Sequence, residues 1–332
     1  MTATGAAMQR PWIAGVVAGL IAWAGAAGAQ NWPTQPVTMV VPFAAGGPTD
    51  VVGRVIAARL GEILGQQVVV ENVTGAGGMT GALRVAQAPP DGSQVLLGTV
   101  GTQAYSQTLY KRPLYNAIQD FAPVALIAEQ SLMLVARTDL AANTLAEFTA
   151  YARSHESDMS FGSGGAGSST HLGCVLLNSA IGVRIQHIPY RGSAPAMQDL
   201  AAGRIDYLCD AVTTALPQVQ ARTVKGLAVF ARKRFSILPD VPTADEQGLA
   251  NFEASNWIGL FFPRGAPAAI IRRLNAATLD AMATPLVQER MQTLGTDLVS
   301  PQRATPDYLQ RFVASEIDKW AEPIKASGVS VD

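Results

Sequence analysis

The stretch VTMVVPFAAGGPTD, residues 37–50, decides the fold expected for this 332-residue chain. Its first five residues are apolar and mostly β-branched, which predicts a strand buried on both faces. Gly46 and Gly47 permit a sharp turn, and residues 48–50 (Pro, Thr, Asp) are types that begin helices. A strand, a glycine turn and a helix N-terminus bring free N–H groups and the positive end of the helix dipole together. The stretch therefore predicts an anion site, and our hypothesis is that it holds a carboxylate.

The same order of strand, turn and helix recurs along the chain. Strands are predicted at residues 67–72, 95–98 and 159–162, each followed by a loop of glycine or hydroxyl residues. Repeated units of this kind predict an open α/β sheet, in which ligands bind beyond the carboxyl ends of the strands. The turn near Gly164 repeats the design of the turn near Gly46, which predicts two lobes with one small-molecule ligand between them.

Composition limits the class of protein. The chain is 48% hydrophobic and 15% charged, with a formal net charge of −1, a balance typical of a soluble globular protein of about two domains. A near-neutral charge argues against nucleic-acid binding, which needs a basic surface. Two cysteines and three scattered histidines have no zinc-site spacing, so we expect no metal.

The first 29 residues predict a secretory signal peptide. Arg10 is their only charge, residues 12–24 are apolar, and Ala27-Gly28-Ala29 fits the small-x-small cleavage rule. The alternative, a membrane anchor, is disfavoured because the apolar run is short for a bilayer span. We therefore expect cleavage after Ala29 and a mature protein in the periplasm.

An oxidising compartment permits a disulfide between Cys174 and Cys209. Each cysteine is equally compatible with a small buried hydrophobic residue. Spacing alone does not decide between these two interpretations.

Ser168 and His171 invite comparison with a hydrolase. The nucleophile elbow needs Gly-x-Ser-x-Gly, and here the second glycine is missing. Neighbours on one helical turn also rarely align a nucleophile with its base. The glycine loops lack nucleotide-binding spacing. We expect no catalysis and no cofactor.

Several motifs together carry a family resemblance. They are PFAAGGPTD (42–50), VEN (70–72), GAGG (75–78), APPDG (88–92), DFAPV (120–124), GSGGAGS (162–168), HL (171–172), PYRGSAPA (189–196) and LPDVPT (238–243). In this order they resemble the Bug family, the extracytoplasmic solute receptors of tripartite tricarboxylate transporters. The chain departs from the family pattern at residues 105–107, 173–176 and 221–223.

The resemblance implies an α/β, two-lobed periplasmic-binding-protein fold of the Venus flytrap, type II-like kind, with a mixed sheet in each lobe. We expect lobe 1 to comprise residues 30–131 and 256–332, and lobe 2 residues 132–255, with hinge crossovers between them. A monomer would close on a small carboxylate (a di- or tricarboxylate, an aromatic acid or an acidic amino acid). It would then deliver this ligand to membrane permease subunits. In the alternative, the receptor signals to a sensor kinase.

The resemblance also implies sixteen ligand-binding positions. In lobe 1 they are Phe43, Gly47, Thr49, Asp50, Gly78, Thr99, Thr102 and Gln103. In lobe 2 they are Ser163, Gly164, Ser168, Ser169, His171, Tyr190, Arg191 and Asp210.

Three of these positions have alternative interpretations. For Asp50 we favour a helix cap over ligand contact. Arg191 suits a bidentate carboxylate pair, but could equally be a solvated loop charge or part of a salt bridge between lobes. Asp210 could accept from an ammonium or hydroxyl group of the ligand, or pair with Arg191.

Overall fold

The computed structural model describes residues 32–331. The expected signal peptide, residues 1–29, and its cleavage site lie outside the described residues. Within residues 32–331, no helix has the length and apolarity required to cross a membrane.

Strands form two sheets. In chain order they are β1 (Val37–Val41), β2 (Val68–Asn72), β3 (Gln94–Thr99), β4 (Phe121–Ala136), β5 (Ser160–Ser163), β6 (Gln186–Pro189), β7 (Tyr207–Ala211), β8 (Lys225–Val229), β9 (Ser255–Pro263) and β10 (Asp297–Leu298).

Helices cover and connect these strands. They are α1 (Pro48–Leu64), α2 (Met79–Ala86), α3 (Ser106–Leu109), α4 (Leu145–Ser154), α5 (Ser169–Ile181), α6 (Ser193–Ala201), α7 (Val212–Gln220), α8 (Ala268–Ala283), α9 (Pro285–Thr293) and α10 (Pro306–Ala326).

Both sheets are mixed, and they share one long strand. The first has the order β2-β1-β3-β9-β4, and the second continues as β4-β7-β5-β6. The strands β1, β2 and β3 pair in parallel, as do β5, β6 and β7, whereas β4 and β9 pair antiparallel to their neighbours. The predicted α/β, two-lobed fold is confirmed. We call the part built on the first sheet lobe 1 and the part built on the second lobe 2.

The strand β4 differs from its sequence prediction. Residues 121–129 and 132–136 read as two strands, because the polar pair Gln130-Ser131 interrupts the apolar run. In the structure one strand of 16 residues runs through both segments. It pairs with β9 up to Ser131 and with β7 from Leu132 onward.

Successive side chains of β4 are buried on opposite faces of the lobe 2 sheet. Leu132 and Leu134 face one hydrophobic core, whereas Met133 and Val135 face another on the opposite side of the sheet. Successive strand side chains point to opposite faces, so an uninterrupted apolar run is required where both faces are covered. Lobe 1 has its own core, in which β1 and the apolar face of α1 are buried.

A buried polar network lies where the chain passes between lobes. The amide of Gln130 donates to the hydroxyl of Thr213 (2.6 Å) and to that of Thr296 (3.3 Å). The two hydroxyls lie 2.8 Å apart, and Asn256 donates to Gln130 (3.2 Å). Hydrogen bonding offsets the cost of burying Gln130 in the middle of β4.

The two cysteines form a disulfide. Cys174 in α5 and Cys209 in β7 have Cα atoms 5.3 Å apart, and both side chains are fully buried. Of the two interpretations left open by the sequence, the bridge is the one observed, and it ties α5 to the sheet of lobe 2.

Candidate functional site

The loops at the strand ends of the two lobes meet across a closed cleft. The amide of Ala44 in lobe 1 donates to the carbonyl of Arg191 in lobe 2 (3.0 Å). The hydroxyl of Tyr110 in lobe 1 donates to the carbonyl of Ala166 in lobe 2 (2.8 Å). These contacts hold the glycine loops of both lobes against one another.

Two glycines make this approach possible. A Cβ on Gly77, whose φ is 61°, would lie 1.9 Å from the carbonyl oxygen of Ala166. A Cβ on Gly192, whose φ is 151°, would lie 2.7 Å from the amide nitrogen of Ala44. Only glycine combines these backbone angles with so close a contact.

Two helix N-termini converge at the cleft. Gly47 caps α1 and Gly192 caps α6, and neither helix start has a side-chain cap hydrogen bond. A Cβ on Gly47 would lie 3.9 Å from the amide nitrogen of Ser193, so the two helix starts are neighbours across the lobes. Free N–H groups and two helix dipoles therefore favour negative charge here.

Asp210 lies buried at the same place. One carboxylate oxygen, Oδ2, accepts from Thr214 (2.7 Å), and the Ser193 hydroxyl also hydrogen-bonds the carboxyl group. The other oxygen, Oδ1, has no partner among residues 32–331. Burial raises the pKa of Asp210, against the opposing effect of these hydrogen bonds.

Gln103, on the loop after β3, also has unpartnered polar atoms. Its side chain is fully buried, and neither its amide nitrogen nor its amide oxygen is bonded within the described part of the chain. By contrast, Thr99 and Thr102 use their hydroxyls on each other's backbone (2.9–3.4 Å), which shapes the loop. The two threonines thus form the frame of the loop, whereas the amide group of Gln103 is left without a partner in the described residues.

Phe43 and Gly78 pack together beside this loop. A Cβ on Gly78 would lie 2.9 Å from the ring of Phe43 and 2.8 Å from Cγ2 of Thr102. The missing side chain of Gly78 therefore lets the Phe43 ring approach the backbone closely.

Asp50 shapes the first turn. Its Oδ2 accepts from the amide of Gly46 and from Arg54 (both 2.9 Å), and its Oδ1 accepts from Asn72 (2.9 Å). Burial alone would raise the pKa of Asp50, but these hydrogen bonds outweigh burial and lower it. The helix cap itself is Gly47, so Asp50 braces the turn from within α1. Thr49 is almost fully buried as a residue, and its hydroxyl has no hydrogen bond within residues 32–331.

The second glycine loop is held by its own hydroxyls. Ser163 Oγ accepts from the amide of Gly165 (3.0 Å), and the amide of Gly164 donates to Thr170 (2.8 Å). Ser168 caps α5 by accepting from the amide of His171 (3.2 Å). Half-buried Ser169 lies against the loop that follows β3, since a Cβ on Gly101 would be 3.4 Å from the Ser169 amide nitrogen.

His171 does not activate Ser168. Its Nδ1 accepts from the amide of Gly167 (3.2 Å), and its ring stacks on His187 at 4.0 Å. No hydrogen bond joins the Ser168 hydroxyl to the imidazole ring in the described residues, so the nucleophile and base of a hydrolase are absent from this helix turn.

Tyr190 and Arg191 border the cleft without entering an ion pair there. The hydroxyl of Tyr190 donates to Asp199 (2.8 Å), and burial together with Asp199 raises the pKa of Tyr190 to about 12. Arg191 is exposed, and its carbonyl is what contacts lobe 1. Within residues 32–331 it forms no salt bridge with Asp210, so that alternative for Asp210 does not apply in this conformation.

Sequence reasoning missed Ser193 and Tyr110. Ser193 directly follows Gly192 in a motif already recognised, and its place at a helix start was the available signal. Tyr110 carries no local signal, because its partner Ala166 is 56 residues away. No group of three metal-ligating side chains occurs in the described residues.

Comparisons with known proteins give a consistent result. Residues 52–329 match the model of the tripartite tricarboxylate transporter family receptor. The chain is 42% identical over 299 residues to a UPF0065 protein encoded in the TAR-I ttuE-ttuC' intergenic region of Agrobacterium vitis, covering 90% of this chain and 86% of that protein.

Solved structures agree with this match. The periplasmic binding protein BugD superposes with a TM-score of 0.87 at 39% identity, covering 90% of this chain and 99% of BugD. MatC from Rhodopseudomonas palustris, solved with bound malate, superposes with a TM-score of 0.86 at 39% identity, covering 88% of this chain and all of MatC.

Proposed function

The chain belongs to the tripartite tricarboxylate transporter receptor family, a family of periplasmic solute-binding proteins rather than enzymes, and we propose that its ligand is a small carboxylate. The ligand is enclosed between the lobes, beside Gly47, Ser193, Gln103 and Asp210. MatC, which has a closely similar fold, binds malate.

The observation that carries this proposal is the set of unpartnered polar atoms at the strand ends of the two lobes. Both amide atoms of Gln103 and Oδ1 of Asp210 are buried without a partner in the described residues. Buried polar groups are normally hydrogen-bonded, so such atoms mark a place for a polar ligand. The uncapped starts of α1 and α6 supply the N–H groups that a carboxylate needs.

Asp210 narrows the ligand class further. A buried carboxylate without a cationic partner is unfavourable, and a plain carboxylate ligand nearby would increase the repulsion. A ligand with an adjacent hydroxyl or ammonium group would donate to Oδ1 and relieve this cost. We therefore infer a hydroxy or amino acid with a small carbon skeleton.

Hinge closure would complete the site. We propose that residues 30–131 with 256–332 move as one body and residues 132–255 as the other. The network of Gln130, Thr213, Thr296 and Asn256 lies at the crossing between them. Ligand contacts made only in the closed state would shift the population toward closure.

A thermal-shift comparison of malate, aspartate, succinate, glucose and choline tests the proposal. Ligand binding to the folded state stabilises it by about 2.7 kcal/mol at a hundredfold excess over Kd. We expect malate or aspartate to raise Tm more than succinate, which lacks the extra donor. A rise with glucose or choline and with none of the acids would exclude a carboxylate ligand.

Delivery to membrane permease subunits is the final part of the proposal, and it rests on the family. An uptake assay with radiolabelled malate or aspartate, in cells with and without the gene for this receptor, tests it. Equal uptake in both strains would favour the sensor alternative.

A further inference from the structure

A second cavity lies behind the glycine loop of lobe 2. It has a volume of about 860 Å³, which is within the range of small-molecule sites. Its walls come from β5, α5, the segment before β6, and the C-terminal residues 326–331. It shares Ala166 and His171 with the loop but is not lined by Gln103 or Asp210.

Side-chain donors line this cavity without acceptors in the described residues. His171 is 3% exposed, and because its Nδ1 accepts from Gly167, the neutral ring carries its proton on Nε2. His187 Nε2 lies 2.6 Å from Ser163 Oγ. Because the Ser163 hydroxyl has no other acceptor for its own proton in the described residues, we assign that proton to the bond with His187, which leaves the His187 proton on Nδ1. Neither N–H has an acceptor within residues 32–331.

Asn178 supplies a third donor without an acceptor in the described residues. Asn178 is 6% exposed, its Oδ1 accepts from Tyr207 (2.6 Å), and its amide N–H₂ group has no acceptor in the described part of the chain. The exposed side chain of Arg184 also lines the cavity and forms no ion pair there. Among the described lining residues the one acid is Glu156, which already accepts from the backbone amide of Arg184 (2.7 Å).

Aromatic and apolar side chains form part of the cavity wall. Phe161, His187 and His171 form a stack with centroid separations of 4.9 Å and 4.0 Å. Val175 and Ile185 extend it. Donors without acceptors select an occupant that accepts hydrogen bonds, and a stacked aromatic wall selects a planar one.

The C-terminal wall belongs to lobe 1. Val331 exchanges hydrogen bonds with Leu109 and Lys111 (2.9 and 3.1 Å), while Val329 packs against the cores of both lobes. The cavity is therefore bounded by both lobes and is complete in this closed arrangement.

We propose that this cavity is a second binding site, for an aromatic monocarboxylate, separate from the cleft between the glycine loops. The carboxylate accepts from the histidine and asparagine N–H groups and from Arg184, and the ring lies against the aromatic stack. The proposal does not depend on the identity of the cleft ligand.

Imidazole NMR with benzoate as the probe tests this proposal. The chain contains three histidines, so the ring signals of ¹⁵N-histidine protein are few. With malate in excess, benzoate should shift the signals of His171 and His187 saturably. Arg184→Glu should weaken this binding about tenfold, the loss expected for one charge-assisted hydrogen bond. Arg184 is exposed, so the variant should fold normally.

Arg290→Glu is the matched control, because Arg290 is equally exposed and lies in α9, away from the cavity. It should bind benzoate like the parent. Two results would overturn the proposal: histidine signals that do not move, or shifts that are linear with benzoate and equal in all three proteins. Failure of malate binding would instead concern the cleft, and would leave the benzoate result interpretable.

Discussion

The hydroxyl of Tyr110 and the carbonyl of Ala166, separated by 56 residues, form a 2.8 Å hydrogen bond from lobe 1 to lobe 2. The bond lies at the edge of the closed cleft. Because it exists only when the lobes meet, it contributes to the balance between open and closed forms and to affinity through that balance.

Tyr110→Phe removes this bond while keeping the ring. The net contribution of such a hydrogen bond is about 0.5–1.5 kcal/mol, so malate affinity measured by calorimetry should fall roughly two- to tenfold. Small-angle scattering of the ligand-free protein should show a larger radius of gyration. Tyr151→Phe is the control, since the Tyr151 hydroxyl has no hydrogen bond in the described residues. Unchanged affinity and radius in Tyr110→Phe would show that the bond has no role in closure.

Asp210→Asn should stabilise the ligand-free protein and weaken binding. Burial raises the pKa of Asp210. The favourable contribution of Asp210 to the free energy of unfolding is therefore present below the ordinary carboxyl pKa and is lost as the pH rises through the raised pKa. At pH 7 the variant should therefore melt higher, by about 2–4 °C per kcal/mol gained, and the gain should shrink at pH 4.

Malate or aspartate affinity should fall in the same variant, because a ligand donor then meets an amide instead of a carboxylate. Asp318→Asn, an exposed site on α10, should change neither quantity. Tighter binding of malate and aspartate by Asp210→Asn would contradict the role given to Oδ1.

The two stacked histidines should make the protein acid-sensitive. Burial lowers the pKa of His171 to about 3, with a smaller effect from His187, and burial lowers that of His187 to about 4. The two neutral rings contribute fully to the free energy of unfolding above about pH 6.5, the ordinary histidine pKa. This contribution is lost as the pH falls toward the lowered pKa values. Each histidine should add about 1.4 kcal/mol per pH unit to the slope of the free energy of unfolding between pH 6 and 4.

Urea unfolding at a series of pH values measures this slope. His187→Gln keeps an acceptor for Ser163 and removes one titrating ring, so the slope should fall by about 1.4 kcal/mol per pH unit. The other titrating groups, Asp210 included, are present in both proteins, so the difference in slope reports mainly the loss of the His187 ring. Equal slopes would show that His187 does not titrate in this way.

The disulfide should be a major source of stability in lobe 2. Cys174 and Cys209 are 35 residues apart, and closing a loop of that length in the unfolded chain corresponds to about 3–4 kcal/mol. The double variant Cys174→Ala, Cys209→Ala should lose that amount in urea unfolding under non-reducing conditions. A parent protein that releases two free thiols on denaturation, without reductant, would contradict the bridge.

Local sequence patterns predicted the units of the fold well. The run from Val37 to Val41, the glycine turn after it and the start of α1 are all encoded within 14 residues, and the structure contains each of them. The family motifs predicted the two-lobed arrangement, and that prediction is confirmed.

Long-range partners explain what could not be predicted. Gln130 is tolerated inside β4 because Thr213 and Thr296 satisfy it, and both partners lie more than 80 residues away. The side of α5 on which His171 lies depends on the packing of Phe161 and His187. The sixteen site positions remain predictions, with Gln103 and Asp210 distinguished by their unpartnered atoms.

The position of β9 has a consequence for the order of folding. This strand lies between β3 and β4 in the sheet, although its residue Asn256 is 126 positions from its paired residue Gln130 in β4. A chain that emerges N-terminus first must therefore hold the edges of β3 and β4 unpaired until residues 255–263 arrive. Contacts of such separation slow folding, and exposed edges invite pairing with other chains. The receptor should accordingly depend on protection by a chaperone until about its last quarter is available, and a fragment that ends before residue 255 should aggregate rather than fold.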